Sequence, residues 1–247
     1  MAKTQTYHKK KDPLPGKKLR LMLCVLLLLL AALAAAGRQA GKTAQENRDC
    51  DAQIQMKPTQ EDGTLPMDFT GLQSQNPDIV GWITVAGLGV DYPVVQGADN
   101  SFYLEHTAEK KYNRLGSLFL DFRANRDFSD FNSVVYGHRM KSGRMFGQLE
   151  RLRERAVFDR ITEGALHLPG KTCRLEIFAV VAADSHSEFY QYIFPTPQSR
   201  RAHLEMIQAH AIFYRDIGVT ADDKLVALST CSYEYEGART LVIARIA

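Results

Sequence analysis

Between positions 79 and 246 the sequence returns seven times to short runs of β-branched and other apolar residues, at 79–85, 90–95, 117–121, 133–136, 175–183, 225–230 and 241–246. None exceeds nine residues, and turn residues such as Gly87 and Gly89 break the chain between them. Several runs are nearly continuous in Val, Ile and Leu, which predicts strands buried on both faces. Repeated short strands of this kind predict a mainly β chain closed, or nearly closed, into a barrel or sandwich. Helical spacing interrupts the pattern. A short helix over 69–75 stops at Asn76-Pro77, because the residue before a proline is pushed out of the α region. Residues 145–155 are helix-like, with Phe146, Leu149 and Leu152 three apart. After Pro197, residues Ala202, Met206, Ala209 and Phe213 recur at helical spacing. That segment lies between the runs ending at 183 and starting at 225, too long a gap for a plain barrel connection, so it predicts a helical insertion with a function.

The N-terminus is a different kind of sequence. Residues 1–48 hold ten Lys/Arg and two acids, leaving 21 basic and 26 acidic residues elsewhere, a net of −5 in a chain whose total is +3. The remainder therefore offers no electrostatic reason to bind nucleic acid. The basic head (1–20) is followed by an unbroken apolar run, 21–36, which Gly37 and the stem of Leu19 lengthen. This is marginal for a span that needs about 20 residues, and Arg20 and Arg38 are placed to snorkel to the two interfaces. Seven basic residues before the run against two soon after it predict a single-pass anchor at 21–37, N-terminus inside and C-terminus outside. A cleaved signal peptide, with Ala34-Ala35-Ala36 as the small-residue site, is the competing reading. Residues 38–66 are polar and read as a stalk, leaving 67–247 as the globular domain.

An exported chain with four cysteines has the opportunity for disulfides, but Cys24 lies in the apolar run, Cys50 in the polar stalk, Cys173 at a strand start and Cys231 at a strand end. There is no CxxC, HExxH or Cys/His cluster, so no metal site is expected. Cys231 closes Leu228-Ser229-Thr230-Cys231, and Arg239 opens the next run eight residues later. His138 follows Val134-Val135-Tyr136-Gly137 at a strand-to-loop exit. A thiol nucleophile, an imidazole to move protons and a fixed cation for a developing oxyanion are what acyl transfer requires. Taken singly, Cys231 reads more commonly as a packed core residue, His138 as a loop histidine and Arg239 as a solvated strand end. Their combination carries more than its parts. His106 is the one rival base; His8, His167 and His186 stand in no motif, and His203 and His210 share a helix face without a third ligand.

These residues carry a family resemblance. Leu228-Ser229-Thr230-Cys231, the earlier His138 and the later Arg239 resemble the signature of sortases. The Ser before Thr-Cys, the opening Asn76-Pro77-Asp78-Ile79-Val80-Gly81-Trp82-Ile83 and the long helical insertion are similar to class B. The resemblance covers roughly 69–246 and implies a closed barrel of about eight strands with an N-terminal helix. It also implies a membrane-anchored cysteine transpeptidase in which Cys231 attacks a C-terminal sorting pentapeptide of a secreted protein. The thioester passes to an amine of the peptidoglycan cross-bridge or a pilin Lys, with His138 as acid and base and Arg239 on the oxyanion. No cofactor or metal is needed for that chemistry. Within 99–104, Asn100 and Leu104 match positions that contact the sorting signal, and Ser229 and Thr230 adjoin the nucleophile; the aromatic-rich stretch 184–196 belongs to the groove without assignable contacts.

Two other functions remain open at this level. A hydrolytic cysteine protease uses the same groups, although papain-like enzymes place Cys before His, whereas here His138 precedes Cys231 by 93 residues. A non-enzymatic, membrane-tethered barrel that binds wall polymers needs Cys231 only for packing.

Overall fold

The computed structural model describes residues 15–58, 67–231 and 237–247, with the backbone alone at Pro15 and Cys231. Helix α1 (Pro15–Gln55) and helix α2 (Phe69–Gln75) precede strands β1 (Ile79–Val85), β2 (Val90–Val95), β3 (Leu118–Leu120) and β4 (Asn132–Tyr136). Helix α3 (Arg155–Arg160), strands β5 (Glu163–Leu168) and β6 (Lys171–Asp184), and helix α4 (Pro197–His210) follow. Strands β7 (Ala211–Tyr214), β8 (Lys224–Cys231) and β9 (Ala238–Ile246) complete the order.

The sheet runs β5-β1-β2-β3-β4-β8-β9-β6, and a β5–β6 ladder closes those eight strands on themselves. Closure depends on β6, which is 14 residues long. Its Leu175–Asp184 portion pairs with β9, so the other edge is free to take β5 along 171–176 and β7 along 179–181. The barrel therefore removes every edge among its eight strands, and β7 is a short ninth strand outside it.

Alternation sorts the side chains. Ile83, Val94, Leu118, Val135, Leu166, Val180, Leu228 and Val242, one from each barrel strand, share one buried cluster that fills the lumen. Their neighbours Val134, Ala179, Val181, Ala227, Leu241 and Ile243 point the other way, into a second cluster with Ile207 of α4. A third cluster packs Phe69 and Leu72 of α2 on Ile79, Trp82 and Val95. This double burial is why the strand runs are continuous rather than alternating.

Local rules set the helix ends. Asp68 caps α2 through Thr70 N (2.8 Å), and Asn76 ends it before Pro77. A Thr196–Ser199 capping box with Pro197 in the first turn starts α4. His203 of α4 is buried among Phe131, Phe189 and Phe194, and burial lowers its pKa to about 4, so it is neutral at neutral pH.

Three expectations are corrected. The helical pattern does not reach Phe213, which lies in β7 after α4 stops at His210. Residues 145–155 are not one α-helix: Met145 has φ +53° and Leu149–Arg153 is a 3-10 turn leading into α3. The Phe146, Leu149 and Leu152 spacing is instead met by a tight turn that buries all three. Strand β5 was not expected, because Gly164 and Ala165 dilute a run in which only Leu166 and Leu168 are buried.

The stretch read as a stalk is also different, in its first half. The chain divides into two units, Met1–Asn47 and Arg48–Ala247. Within the second, the last turns of α1 are packed: Cys50 is 0 % and Gln53 1 % exposed. Gln53 donates to Gly116 O (3.2 Å) and accepts from Ala108 N (3.0 Å) and Ser117 Oγ (2.9 Å). Asn113 donates to Asp49, Arg144 pairs with Asp51, and Lys57 pairs with Asp91 at 2.7 Å. A polar composition does not reveal that these groups have partners on the barrel. Residues 59–66, the remainder of that stretch, lie outside the described residues, as do 1–14 of the basic head.

A chain beginning at Met67 should accordingly melt well below one beginning at Arg48. Three buried hydrogen bonds of Gln53 at about 1 kcal/mol each, plus the lost burial of Cys50, amount to roughly 3–5 kcal/mol. That corresponds to on the order of 10 °C in a domain of this size. Equal melting temperatures in thermal denaturation would show that the end of α1 contributes nothing to the barrel.

In the first unit, α1 is the one helix among the described residues long and apolar enough to cross a membrane. Its Leu21–Leu30 side chains are exposed.

Candidate active site

Topology brings distant parts of the chain to one rim of the barrel. Strands β4 and β8 are parallel neighbours, with Tyr136 opposite Ser229, so both run out at the same end. Strand β9 is antiparallel to β8 and starts there, with Cys231 opposite Arg239 and Thr230 opposite Thr240. Strand β6, antiparallel to β9, ends there with Asp184 opposite Ala238. The expected pairing of the two strands around Cys231 is thus present. The Cys231 side chain and residues 232–236 of the intervening loop lie outside the described residues.

A cleft of about 250 Å³ opens at this rim. It is lined by Asn100, Leu104, His138, Ser229, Thr230 and Arg239, six of the seven residues singled out in the sequence. The seventh, Cys231, continues β8 directly beyond Thr230. Ser185 and Tyr190, from the stretch 184–196 that the resemblance places in the groove, complete the lining with Phe119, Tyr136 and Gly137, which were not expected there. Tyr136 and Gly137 stand in the very motif that marks His138, and Tyr190 in the aromatic-rich stretch left without assigned contacts; no sequence signal separates their roles from packing.

His138 sits two residues beyond the end of β4. Gly137 is required just before it: a Cβ there would lie 2.4 Å from Leu118 Cδ2 and 2.7 Å from Phe146 Cδ2. Gly137 N donates to Ser229 O (3.1 Å), extending the β4–β8 ladder to the histidine. His138 Nε2 lies 2.8 Å from Leu104 O. A carbonyl only accepts, so Nε2 carries the hydrogen, and in the neutral ring the lone pair is on Nδ1. Leu104 thus contributes its backbone as well as a side chain to the cleft.

Arg239 Nη1 donates to Ala238 O (3.0 Å), tethering the guanidinium at the start of β9. Across the β6 end, Asp184 is held below the usual carboxylate range, first by the His186 backbone amide (2.8 Å) and further by the charges of His186 and Arg239. Ser229 Oγ is bonded to Tyr190 OH at 2.8 Å. Thr230 Oγ1 is buried without a hydrogen-bond partner among the described residues. Asn100 is committed at both ends of its amide: Nδ2 donates to Asp121 Oδ2 (3.1 Å) and Oδ1 accepts from Phe122 N (3.0 Å).

The rival His106 is turned to other work. Its Nδ1 lies 2.8 Å from Phe102 O and its ring stacks on Phe102 at 4.0 Å. His210 bonds Met206 O within its own helix. Among the described residues no group of three His, Cys, Asp or Glu is arranged to hold a metal.

Known proteins share both sequence and fold with this chain. The family model described as the sortase domain matches residues 83–247. Sortase B of Listeria monocytogenes is 30 % identical over 186 residues, 74 % of this chain and 76 % of that protein. The crystal structure of Clostridium perfringens sortase B is 33 % identical and superposes with a TM-score of 0.69, covering 73 % of this chain and all of that one. A Staphylococcus aureus sortase B–substrate complex is 29 % identical with a TM-score of 0.69, over 72 % and 84 % of the two chains. A closed barrel with its helix on the late strands, matched by the sortase domain model over two thirds of its length and by relatives of one class, belongs to a class B member of the sortase family, a cysteine transpeptidase.

Proposed function

We propose that this transpeptidase is held in the membrane by residues 21–37, N-terminus inside and catalytic domain outside. There it cleaves the C-terminal sorting signal of secreted proteins through a thioester on Cys231 and transfers them to an amine of the peptidoglycan cross-bridge or a pilin Lys. The observation that carries the reading is the cleft in which His138, Arg239, Ser229 and Thr230 meet beside the end of β8. The S. aureus relative solved as a substrate complex supports a substrate-binding role for the shared fold. The exposed apolar face of α1 supports the anchor.

In the proposed cycle the Cys231 sulfur attacks the scissile carbonyl carbon and the carbonyl oxygen becomes an oxyanion beside Arg239. The C–N bond breaks as His138 gives a proton to the departing amine, leaving an acyl thioester. An incoming amine attacks that thioester, the C–S bond breaks to release the Cys231 thiolate, and His138 takes the proton of the amine as the new amide bond forms. The Leu104 carbonyl holds the ring so that Nδ1 is the atom that gains and loses the proton. Asn100 and Leu104 line the cleft with Ser229 and Thr230 of β8, where the signal peptide would lie.

The test uses a peptide carrying the C-terminal pentapeptide of a secreted protein encoded beside this gene. With triglycine or Nα-acetyl-lysine added, mass spectrometry should find the N-terminal fragment extended by the amine. A product resolved only by water in the presence of either amine would support a protease instead, and an uncut peptide would leave a tethered binding barrel.

A further inference from the structure

We infer that Asp121 is a positioning residue of the cleft: its buried carboxylate holds Asn100 and Tyr136, and through Tyr136 the Tyr190–Ser229 pair, in the arrangement that receives the peptide. This rests on the functional reading above.

Asp121 follows β3 immediately and is 2 % exposed. A carboxylate so buried is costly unless its oxygens are filled. Here they are. Arg123 donates from Nε to Oδ1 (2.8 Å), from Nη2 to Oδ2 (2.7 Å) and from its backbone amide to Oδ1 (3.0 Å). Tyr136 OH donates to Oδ2 at 3.0 Å and Asn100 Nδ2 at 3.1 Å. Burial alone would raise the carboxyl pKa; the hydrogen bonds from Arg123, Asn100 and Tyr136 together outweigh it and keep the carboxyl below its ordinary value.

Arg123 already satisfies the charge in a bidentate geometry. The two further donors are both cleft residues. What they gain is position. An ionised carboxylate only accepts, so it turns the Nδ2 of Asn100 inward, and Phe122 N holds the opposite end of the amide. Tyr136, fixed by its hydroxyl, stacks on Tyr190 with ring centroids 6.0 Å apart and planes 8° apart. Tyr190 in turn bonds Ser229, the residue opposite Tyr136 in the ladder. Walls contributed by four separate segments of chain are therefore fastened to one buried group. Among the described residues that group makes no hydrogen bond to His138, and its effect falls on substrate placement rather than on thiol chemistry.

Asp121→Asn in the full-length protein in detergent tests this. The amide sets donors against the donors of Asn100 and Arg123. With the same sorting-signal peptide, KM should rise about tenfold while kcat stays within about threefold. The rate of Cys231 alkylation by iodoacetamide should stay within about twofold of the parent. Tyr136→Phe keeps the ring stack and the carboxylate but removes one bond. It should raise KM about threefold, and the double variant should be no worse than Asp121→Asn alone, because both act through one network. A purely structural role would lower the melting temperature, and kcat and alkylation with it, leaving KM alone. Unchanged KM in Asp121→Asn overturns the inference, as do additive effects in the double variant. If Asp121→Asn fails to fold, an unchanged KM in Tyr136→Phe overturns it equally. A parent protein that leaves the peptide uncut would instead remove the functional reading and this inference with it.

Discussion

Replacing Cys231 by Ala should abolish cleavage of the sorting-signal peptide, a loss on the order of 10⁴-fold or more. The thiolate is the one strong nucleophile the site can present, and neither His138 nor Arg239 can form the thioester in its place. The fold should survive, because β8 is held by backbone ladders to β4 and β9 that an Ala at its end preserves. The other cysteines provide the control. Burial pushes the Cys50 thiol up, with Tyr92 OH 3.9 Å away, so Cys50 stays a protonated core residue. Cys173 faces Leu166 on the β5–β6 ladder, away from the rim, and Cys173→Ala should keep its activity. Peptide turnover by chromatography, with a search for the acyl-enzyme mass, decides the matter. Substantial turnover in Cys231→Ala would sink the assignment.

Arg239→Lys should cost about 10²–10³ in turnover although it conserves charge. Lysine is a point charge on a flexible stem, whereas the guanidinium is a planar fork that can hold Ala238 O with one nitrogen and reach an oxyanion with another. Its place opposite Cys231 in the β8–β9 ladder is where directed donors would meet charge developing on the scissile carbonyl. If the residue served only to tune the field at the sulfur, Lys would suffice and iodoacetamide alkylation would change as much as turnover. The expected pattern is the reverse: alkylation nearly unchanged, turnover collapsed. A Lys variant as active as the parent would leave the Cys–His pair without its third member.

The strands and the site were legible in the sequence to different depths. The limits of β1 and β2 follow from 79–85 and 90–95 as read, since Pro77 and the Gly87–Gly89 turn bound them within a few residues. Helix α2 was equally clear from Asn76-Pro77. Cys231, His138 and Arg239 stood out through motif and order alone. Asp121 did not: it is the lone acid that closes the apolar run 117–121, and nothing nearby says that Asn100 and Tyr136 will reach it. Asn100 was read as a substrate contact, and the structure adds that both ends of its amide are already held by the protein.

What the sequence by itself determined is local: which residues prefer extended backbone, where a proline or a cap ends a helix, and which reactive side chains the chain carries. These depend on a side chain and its near neighbours, so a window of ten residues contains the cause. What only the tertiary structure decided is pairing across distance. The length of β6 lets one strand serve β9, β5 and β7 and so closes the barrel. The parallel register of β4 and β8 puts His138 beside the end of the strand carrying Cys231. Gln53 and Cys50 look like stalk residues until Gly116, Ala108 and Tyr92 supply their partners from 42 to 63 positions away. Burial and hydrogen-bond satisfaction are properties of both partners at once, and a partner that distant leaves no mark on the local pattern.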